Sequence, residues 1–220
     1  MEPSLHSLEV KRTAHLYQLG SASAQTKFVW LALHGYGQNP AYWVQKFAPL
    51  VDTQTVVLAP EGLSRFYLQG NSGRVGASWM TKEQRQHEIQ DYLSYLEQVV
   101  AKIKHDMPQA RILLLGFSQG GATAARYGVE HPSEIATLVL WSAIFPADLK
   151  AELPTSSLPV WLAYGDADPF LSGAQLESTL QRYRTMHAGL RYLPFSGAHE
   201  ITAEALLQLK SEVLASLLAI

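Results

Sequence analysis

The chain has 220 residues, of which 47% are hydrophobic and 16% charged, a composition typical of an ordinary globular protein and not of a disordered one. Its 17 Lys and Arg stand against 19 Asp and Glu, so no basic field predicts nucleic acid or an anionic membrane as a partner. A small molecule is the expected partner. Cysteine is absent, which excludes disulfides, thiol catalysis and cysteine metal sites.

The N-terminal residues lack a basic segment followed by an apolar one, so no signal peptide is predicted. No apolar run approaches the roughly 20 residues that cross a bilayer, so we expect no integral membrane segment. These features favour a cytoplasmic protein. The length suits a single domain over residues 1–220, and the oligomeric state stays open between monomer and homodimer.

The first half of the chain alternates apolar strands with helical segments. Residues 10–19 predict a first strand, and the continuous apolar run of residues 28–33 predicts a buried one. An Asn-Pro pair, an N-cap followed by proline at the first helical position, predicts a helix over residues 40–50. Residues 55–59 predict the next buried strand.

Residues 61–81 form the longest stretch without periodicity, rich in glycine, and loops of this length in a compact domain are usually functional or mobile. Thr81 and Gln84 have capping-box spacing, and apolar residues then recur every three or four positions. We therefore expect a long amphipathic helix to about His105, ended by Pro108.

The segment 113–122 reads as a buried strand, a tight Gly-Phe-Ser-Gln-Gly turn and a helix that continues to about Glu130. Ser118 stands at the tip of this turn. Gly116 and Gly120 meet the need for residues without a Cβ on either side. The backbone N–H groups at the start of the helix point back toward the serine, where they can hold a developing negative charge.

The remainder of the chain continues the alternation. Strands are predicted at residues 137–141, 158–164 and 190–195, a helix at residues 172–187 with capping-box spacing from Ser172, and a final helix rich in leucine. Alternating strands and helices predict an α/β fold with a mostly parallel sheet covered by helices on both faces.

Three polar residues come directly after strands: Ser118, Asp168 and His199. In open α/β sheets the ligand crevice lies at the edge formed by the carboxyl ends of the strands, so these residues should meet there. The chain order Ser, Asp, His is that of the α/β-hydrolases. A serine nucleophile needs a histidine base, and the base needs a carboxylate to fix its tautomer. Asp166 is an alternative carboxylate, although an Asp at that position readily shapes a turn.

Acyl transfer also needs two backbone N–H donors for the oxyanion. The expected donors are Gln119, directly after the nucleophile, and Tyr36 in the loop that follows an early strand. His34 is interpreted as a ring that braces this loop by hydrogen bonding. The other histidines show no metal-ligand spacing with an acid nearby, so no metal is predicted.

Four strings carry a resemblance to a known family: Leu33 to Gly37, Gly116 to Gly121, Gly165 to Pro169 and Gly197 to Glu200. From Phe28 to the C-terminus, the chain resembles the phospholipase/carboxylesterase family of small α/β-hydrolases, which includes acyl-protein thioesterases. The resemblance implies an α/β-hydrolase fold without a large separate lid domain, and serine esterase or thioesterase activity on acyl esters with no cofactor. It also implies Asp168 as the acid and Tyr36 and Gln119 as oxyanion donors.

One region departs from the thioesterase pattern. Those enzymes have a Trp-Phe/Tyr-Asp string before the long helix, whereas this chain has Ser78-Trp79-Met80-Thr81, which keeps the tryptophan and lacks the acid. The departure counts against protein depalmitoylation and leaves ester hydrolysis intact. Phe66, Tyr67 and Trp79 are candidates for lining an acyl or alcohol pocket, with plain packing as the alternative.

A serine carboxylesterase acting on a small-molecule ester through an acyl-enzyme is therefore the first hypothesis. A thioesterase, a deacetylase or a small peptidase on the same scaffold is the second, because one fold hosts many reactions. A non-catalytic binding protein of the same fold is the third.

Overall fold

A seven-stranded sheet lies at the centre of the structure, a computed structural model that describes residues 3–149, 158–171, 173–187 and 189–218. Its strands, in chain order, are β1 (Leu16–Leu19), β2 (Phe28–Leu33), β3 (Thr55–Pro60), β6 (Arg111–Phe117), β7 (Thr137–Trp141), β8 (Val160–Gly165) and β9 (Leu190–Phe195), while β4 (Ser64–Gln69) and β5 (Ser72–Ser78) form a separate hairpin. The order across the sheet is β1-β3-β2-β6-β7-β8-β9. Among the described strands of this sheet, β1 alone pairs antiparallel, at one edge, and the others pair parallel. The predicted, mostly parallel sheet is confirmed.

Helices cover both faces of the sheet. They are α1 (Pro40–Trp43), α2 (Arg85–Asp106), α3 (Gln119–Glu130), α4 (Gly173–Met186) and α5 (Ala203–Leu218), with short 3₁₀ helices at Val44–Leu50 and Ala147–Leu149. One apolar core lies between the sheet and α2, α3 and α4, and the other between the sheet and α1, the first 3₁₀ helix and α5. The α/β prediction is therefore confirmed, and the described residues include no separate lid domain.

The central strands are apolar throughout because both of their faces are buried. In β2, Val29, Leu31 and Leu33 belong to one core, and Trp30 and Ala32 belong to the other. Successive side chains of a strand point to opposite faces, so a strand between two helical layers needs apolar residues at every position.

Two elements in the first half differ from their predicted extent. The first strand covers only Leu16–Leu19, and residues 10–13 before it are exposed. The segment 40–50 begins as predicted, because the Asn39 side chain accepts the Ala41 N–H at 3.0 Å and caps α1. The α-helix then changes to 3₁₀ geometry after Trp43, and the segment contains Pro49, whose ring nitrogen cannot donate a helical hydrogen bond.

The stretch 61–81, expected to be irregular, instead contains the β4–β5 hairpin. Gly70 and Gly73 adopt positive φ angles of 69° and 82°, which let the chain reverse between the two strands. The hairpin is joined to the loop after β2, because the Gly37 N–H donates to the Ala77 carbonyl at 2.9 Å and the Ala77 N–H to the Gln38 carbonyl at 3.0 Å. It therefore supports the loop that carries Tyr36.

The predicted capping box before α2 is wrong. The helix begins at Arg85, after Gln84 in a left-handed conformation with φ 44°. The backbone N–H and hydroxyl of Thr81 both donate to the Glu88 carboxylate instead. The other capping box, at Ser172, lies outside the described residues, although the helix expected after it is present as α4.

Candidate active site

Ser118 occupies a strained turn between β6 and α3. Its φ of 52° and ψ of −117° are unusual for a residue with a side chain, and such strain is characteristic of functional sites. Two hydrogen bonds fix the turn: the Ser118 N–H donates to the Trp141 carbonyl at 3.0 Å, and the Gly121 N–H donates to the Ser118 carbonyl at 2.9 Å. The serine side chain is half-buried at the end of the strand.

The glycines around this turn are required by close backbone approach. A Cβ on Gly116 would stand 2.2 Å from the Gly120 carbonyl oxygen, and a Cβ on Gly120 would stand 2.2 Å from the Leu33 carbonyl oxygen. Both distances are far inside van der Waals contact. The second contact also shows that the start of α3 lies against the end of β2, where the predicted oxyanion loop begins.

His199 and Asp168 form a hydrogen-bonded pair at the carboxyl ends of β8 and β9. The His199 Nδ1 lies 2.8 Å from Asp168 Oδ2, and the Asp168 side chain is 0% exposed. The other carboxylate oxygen of Asp168 accepts the Phe170 N–H at 3.0 Å. An Nδ1–H that donates to the carboxylate leaves Nε2 with its lone pair available as a base.

Asp166 has a different environment from Asp168. Its carboxylate accepts the Gly197 N–H at 3.0 Å, and its own backbone N–H donates to the Phe195 carbonyl at 3.0 Å. These contacts join the turn after β8 to the turn after β9. Asp166 therefore stabilises the two turns, while Asp168 contacts the imidazole.

The loop that carries His199 folds over the serine turn. The rings of His199 and Phe117, the residue before Ser118, have centroids 5.0 Å apart. Trp141 pairs with Phe117 across β6 and β7, and its indole N–H donates to the Glu200 carbonyl at 2.8 Å. These contacts bring Ser118, His199 and Asp168 to the same edge of the sheet.

An open groove of about 480 Å³ runs from the loop after β2 along α3. Tyr36 and Gln119 line its start, followed by Met80, Ala122 and Arg126. The Gln119 N–H occupies the first position of α3, where a helix offers no intrahelical acceptor, so it is available to an oxyanion. Tyr36 also lines the groove and is 63% exposed.

The side chain of Gln119 has a structural role that sequence reasoning missed. Its amide oxygen accepts the Trp79 N–H at 3.1 Å, and its amide nitrogen donates to the Met80 carbonyl at 2.8 Å. These bonds fasten the end of the hairpin to α3. No local pattern signals them, because they join residues about forty positions apart.

His34 is fully buried at the start of the loop that follows β2 and carries Tyr36. Its Nε2 accepts the Gly62 N–H at 2.9 Å, and its Nδ1 lies 2.8 Å from the Gly35 carbonyl oxygen. Burial in apolar surroundings lowers the pKa of His34 from 6.5 to about 4, so the ring is neutral at pH 7. The ring braces the loop through both nitrogens.

The structure separates the three aromatic pocket candidates. Phe66 is half-buried and packs against Tyr36, with ring centroids 5.2 Å apart. Tyr67 is half-exposed, and like Phe66 and Trp79 it is not among the residues that line the groove. Trp79 is 2% exposed and donates its indole N–H to the His34 carbonyl at 2.8 Å. Its contacts are those of a residue that packs beneath the loop.

Within the ranges given above, no three histidine, aspartate or glutamate side chains are grouped closely enough to hold a metal ion. None of the described helices combines the length and the apolar character needed to cross a bilayer.

The sequence model of the phospholipase/carboxylesterase family matches residues 19–216, which is most of the chain. The chain belongs to the phospholipase/carboxylesterase family. The match includes the serine turn, the His199–Asp168 pair and the loop of residues 34–37 after β2.

Solved structures with low sequence identity to this chain share its fold. Esterase PE8 superposes with a TM-score of 0.70 at 21% identity, covering 93% of this chain and 99% of the other. Acyl-protein thioesterase 2 from Zea mays superposes with a TM-score of 0.71 at 16% identity, covering 93% and 100%. At these identities the likeness concerns the fold.

Curated relatives match over shorter stretches. Acyl-protein thioesterase 1 from Mycosarcoma maydis is 41% identical over 69 residues, which is 30% of this chain and 29% of that protein. Acyl-protein thioesterase 1 from Schizosaccharomyces pombe is 29% identical over 118 residues, 50% of this chain and 51% of that protein. The aligned stretches therefore span about half or less of these relatives.

Proposed function

We propose that this protein is a serine hydrolase that cleaves carboxylic esters, with Ser118 as nucleophile, His199 as general base and acid, and Asp168 as the carboxylate that orients His199. The observation that carries the proposal is a serine on a strained turn at the same sheet edge as a hydrogen-bonded His–Asp pair. Membership of the phospholipase/carboxylesterase family supports the same reaction class.

The reaction would proceed in two halves. As Ser118 Oγ bonds to the ester carbonyl carbon, His199 Nε2 takes its proton, and the N–H groups of Tyr36 and Gln119 hold the oxyanion. The bond between the carbonyl carbon and the alcohol oxygen then breaks, and His199 returns the proton to that oxygen. Water repeats the sequence on the acyl-enzyme, which releases the acid and restores the serine.

Thioester cleavage is the second candidate, because relatives in two fungi are named acyl-protein thioesterases. The same steps apply with a thiolate as the leaving group. Comparing kcat/KM for butyryl-CoA and for p-nitrophenyl butyrate would rank the two activities, since the acyl group is the same and the leaving atom differs.

Replacing Ser118 by alanine tests the central assignment. We expect hydrolysis of p-nitrophenyl butyrate to fall on the order of 10³-fold or more, because the members of a triad act as a unit. Covalent labelling by a fluorophosphonate should disappear in the same variant.

Ser142 supplies a matched control, since it is another serine with positive φ, at 48°, directly after β7. Ser142→Ala should keep both the activity and the label. Near wild-type hydrolysis by Ser118→Ala, or a label lost only from Ser142→Ala, would show that the nucleophile is misassigned.

A further inference from the structure

Phe170 is a large apolar side chain that is 72% exposed beside the His–Asp pair. Its ring meets the His199 ring edge to face, with centroids 4.5 Å apart. Its backbone N–H donates to Asp168 Oδ1 at 3.0 Å, which fixes where the residue stands. The ring is therefore held next to the base while most of its surface faces outward.

A second ring, that of Phe117, also contacts His199, but this ring is buried. Phe117 lies 5.0 Å from the imidazole and is 4% exposed, packed in the core beside Trp43. Core packing accounts for Phe117 and leaves the exposed surface of Phe170 unexplained. What distinguishes Phe170 from other exposed apolar residues is its place against His199, where a substrate group that covered the ring would bury apolar area favourably.

The chemistry identifies which part of a substrate reaches this ring. His199 must return a proton to the leaving oxygen, so the group attached to that oxygen lies beside the imidazole. The described residues that line the groove come from the loop after β2, the segment after β5, and α3. Phe170 follows β8, two strands from β6 in the sheet, so the ring and the groove flank Ser118 from different directions.

We propose that Phe170 forms the leaving-group subsite and makes this protein an esterase that favours aromatic or bulky apolar alcohols. The inference rests on the proposed serine-hydrolase function. The acyl group then occupies the groove beside Tyr36 and Ala122, and the alcohol packs on the outward surface of the Phe170 ring. Aromatic pairs of this kind gain energy beyond that of the area they bury.

Benzyl butyrate and methyl butyrate provide a matched test, because they share the acyl group and have alkoxide leaving groups of similar basicity. The measurement is kcat/KM by titration of the released acid, a quantity that reports acylation. Phe170→Ala should lower kcat/KM for the benzyl ester about tenfold and for the methyl ester less than about twofold. Phe170→Leu should fall between, because it keeps apolar bulk and loses the ring.

Tyr42→Ala is the control for loss of an exposed aromatic. Tyr42 is 77% exposed on α1. Burial raises the pKa of the Tyr17 phenol, and nearby Tyr42 adds to this effect, so Tyr42 lies close to Tyr17. Tyr17 belongs to β1, at the opposite edge of the sheet from β9. This variant should leave the benzyl-to-methyl ratio unchanged.

Equal loss on both esters would overturn the proposal, because it would mean that the ring only braces His199. No loss on either ester would overturn it as well. A change between methyl butyrate and methyl octanoate instead would assign Phe170 to the acyl side. Fluorophosphonate labelling separates the two levels: wild-type protein without Ser118 labelling contradicts the proposed function, whereas normal labelling with an unchanged ratio contradicts the subsite alone.

Discussion

Two aspartates, two positions apart after the same strand, have distinct partners. Asp168 Oδ2 lies 2.8 Å from the imidazole of His199, while Asp166 accepts a backbone N–H from Gly197 at 3.0 Å. At position 166 an asparagine can replace the carboxylate as an acceptor. At position 168 the asparagine amide could present a donor to His199 Nδ1 and select the wrong tautomer. The two substitutions should therefore differ sharply.

We expect Asp168→Asn to lower kcat for p-nitrophenyl butyrate on the order of 10³-fold, with a KM close to wild type. Asp166→Asn should retain most of the activity, because its amide oxygen can still accept the Gly197 N–H. Steady-state kinetics of both variants check this. A larger loss in Asp166→Asn than in Asp168→Asn would reverse the two roles.

At the scale of residues, the sequence predicts those positions that local chain geometry determines. Ser118 needs flanking glycines, and the parallel strands bring the residues that follow them to one edge, so the meeting of Ser118, His199 and an aspartate there could be predicted, with Asp166 as the alternative to Asp168. Phe170 and the side chain of Gln119 could not. Their contacts join segments far apart in the chain, and nothing in a Pro-Phe pair or a single glutamine indicates such a contact.

At the scale of elements, prediction succeeded where burial on two faces produces an uninterrupted apolar run, as in β2 and β6. It failed for the β4–β5 hairpin, whose residues are exposed over most of β4 and the first half of β5 and whose glycines resemble those of a loop. The hairpin is specified by its contact with the loop after β2, which is a tertiary interaction. Gly76 is the point of closest approach.

Gly76→Ala tests whether the hairpin positions the loop that carries Tyr36, the proposed oxyanion donor. A Cβ at this position would stand 2.1 Å from the Gly37 carbonyl oxygen, so the hairpin or the loop that carries Tyr36 must move. We expect kcat/KM for p-nitrophenyl butyrate to fall about tenfold or more, and the free energy of unfolding to fall by about 1–3 kcal/mol.

Gly173→Ala is the matched control, since a Cβ there meets nothing within 4 Å at the start of α4. Its activity and its stability to urea should equal or exceed those of the wild type. If Gly76→Ala retained full activity, the hairpin would not be what positions Tyr36.

At the scale of the whole molecule, one sheet joins both helical layers. Strands such as β2 contribute alternate side chains to the two cores, so neither layer can lose its packing without the other. We therefore expect a single cooperative unit, in which a change at one buried residue alters the stability of the whole fold. His34 offers a test, because it is buried between the sheet and the active-site loop.

Burial lowers the pKa of His34 from 6.5 to about 4, so between these values the unfolded chain binds a proton that the folded chain does not. The free energy of unfolding is therefore unaffected by this titration above pH 6.5 and decreases as the pH falls toward 4, by about 3 kcal/mol in all. The hydrogen bond from Arg126 lowers the pKa of Asp148 from 3.8 to about 2. The stability that Asp148 contributes is therefore lost in a separate pH range, as the pH falls below 3.8.

Urea unfolding from pH 7.5 to 4.5, followed by tryptophan fluorescence and far-UV circular dichroism, measures this dependence. The wild type should lose stability steadily below pH 6.5, with coincident transitions by both probes. His34→Gln keeps an acceptor for the Gly62 N–H and cannot be protonated, so it should start less stable and show a much flatter profile. Parallel profiles for the two proteins would mean that His34 is not the titrating group, and separate transitions by the two probes would mean that the layers unfold independently.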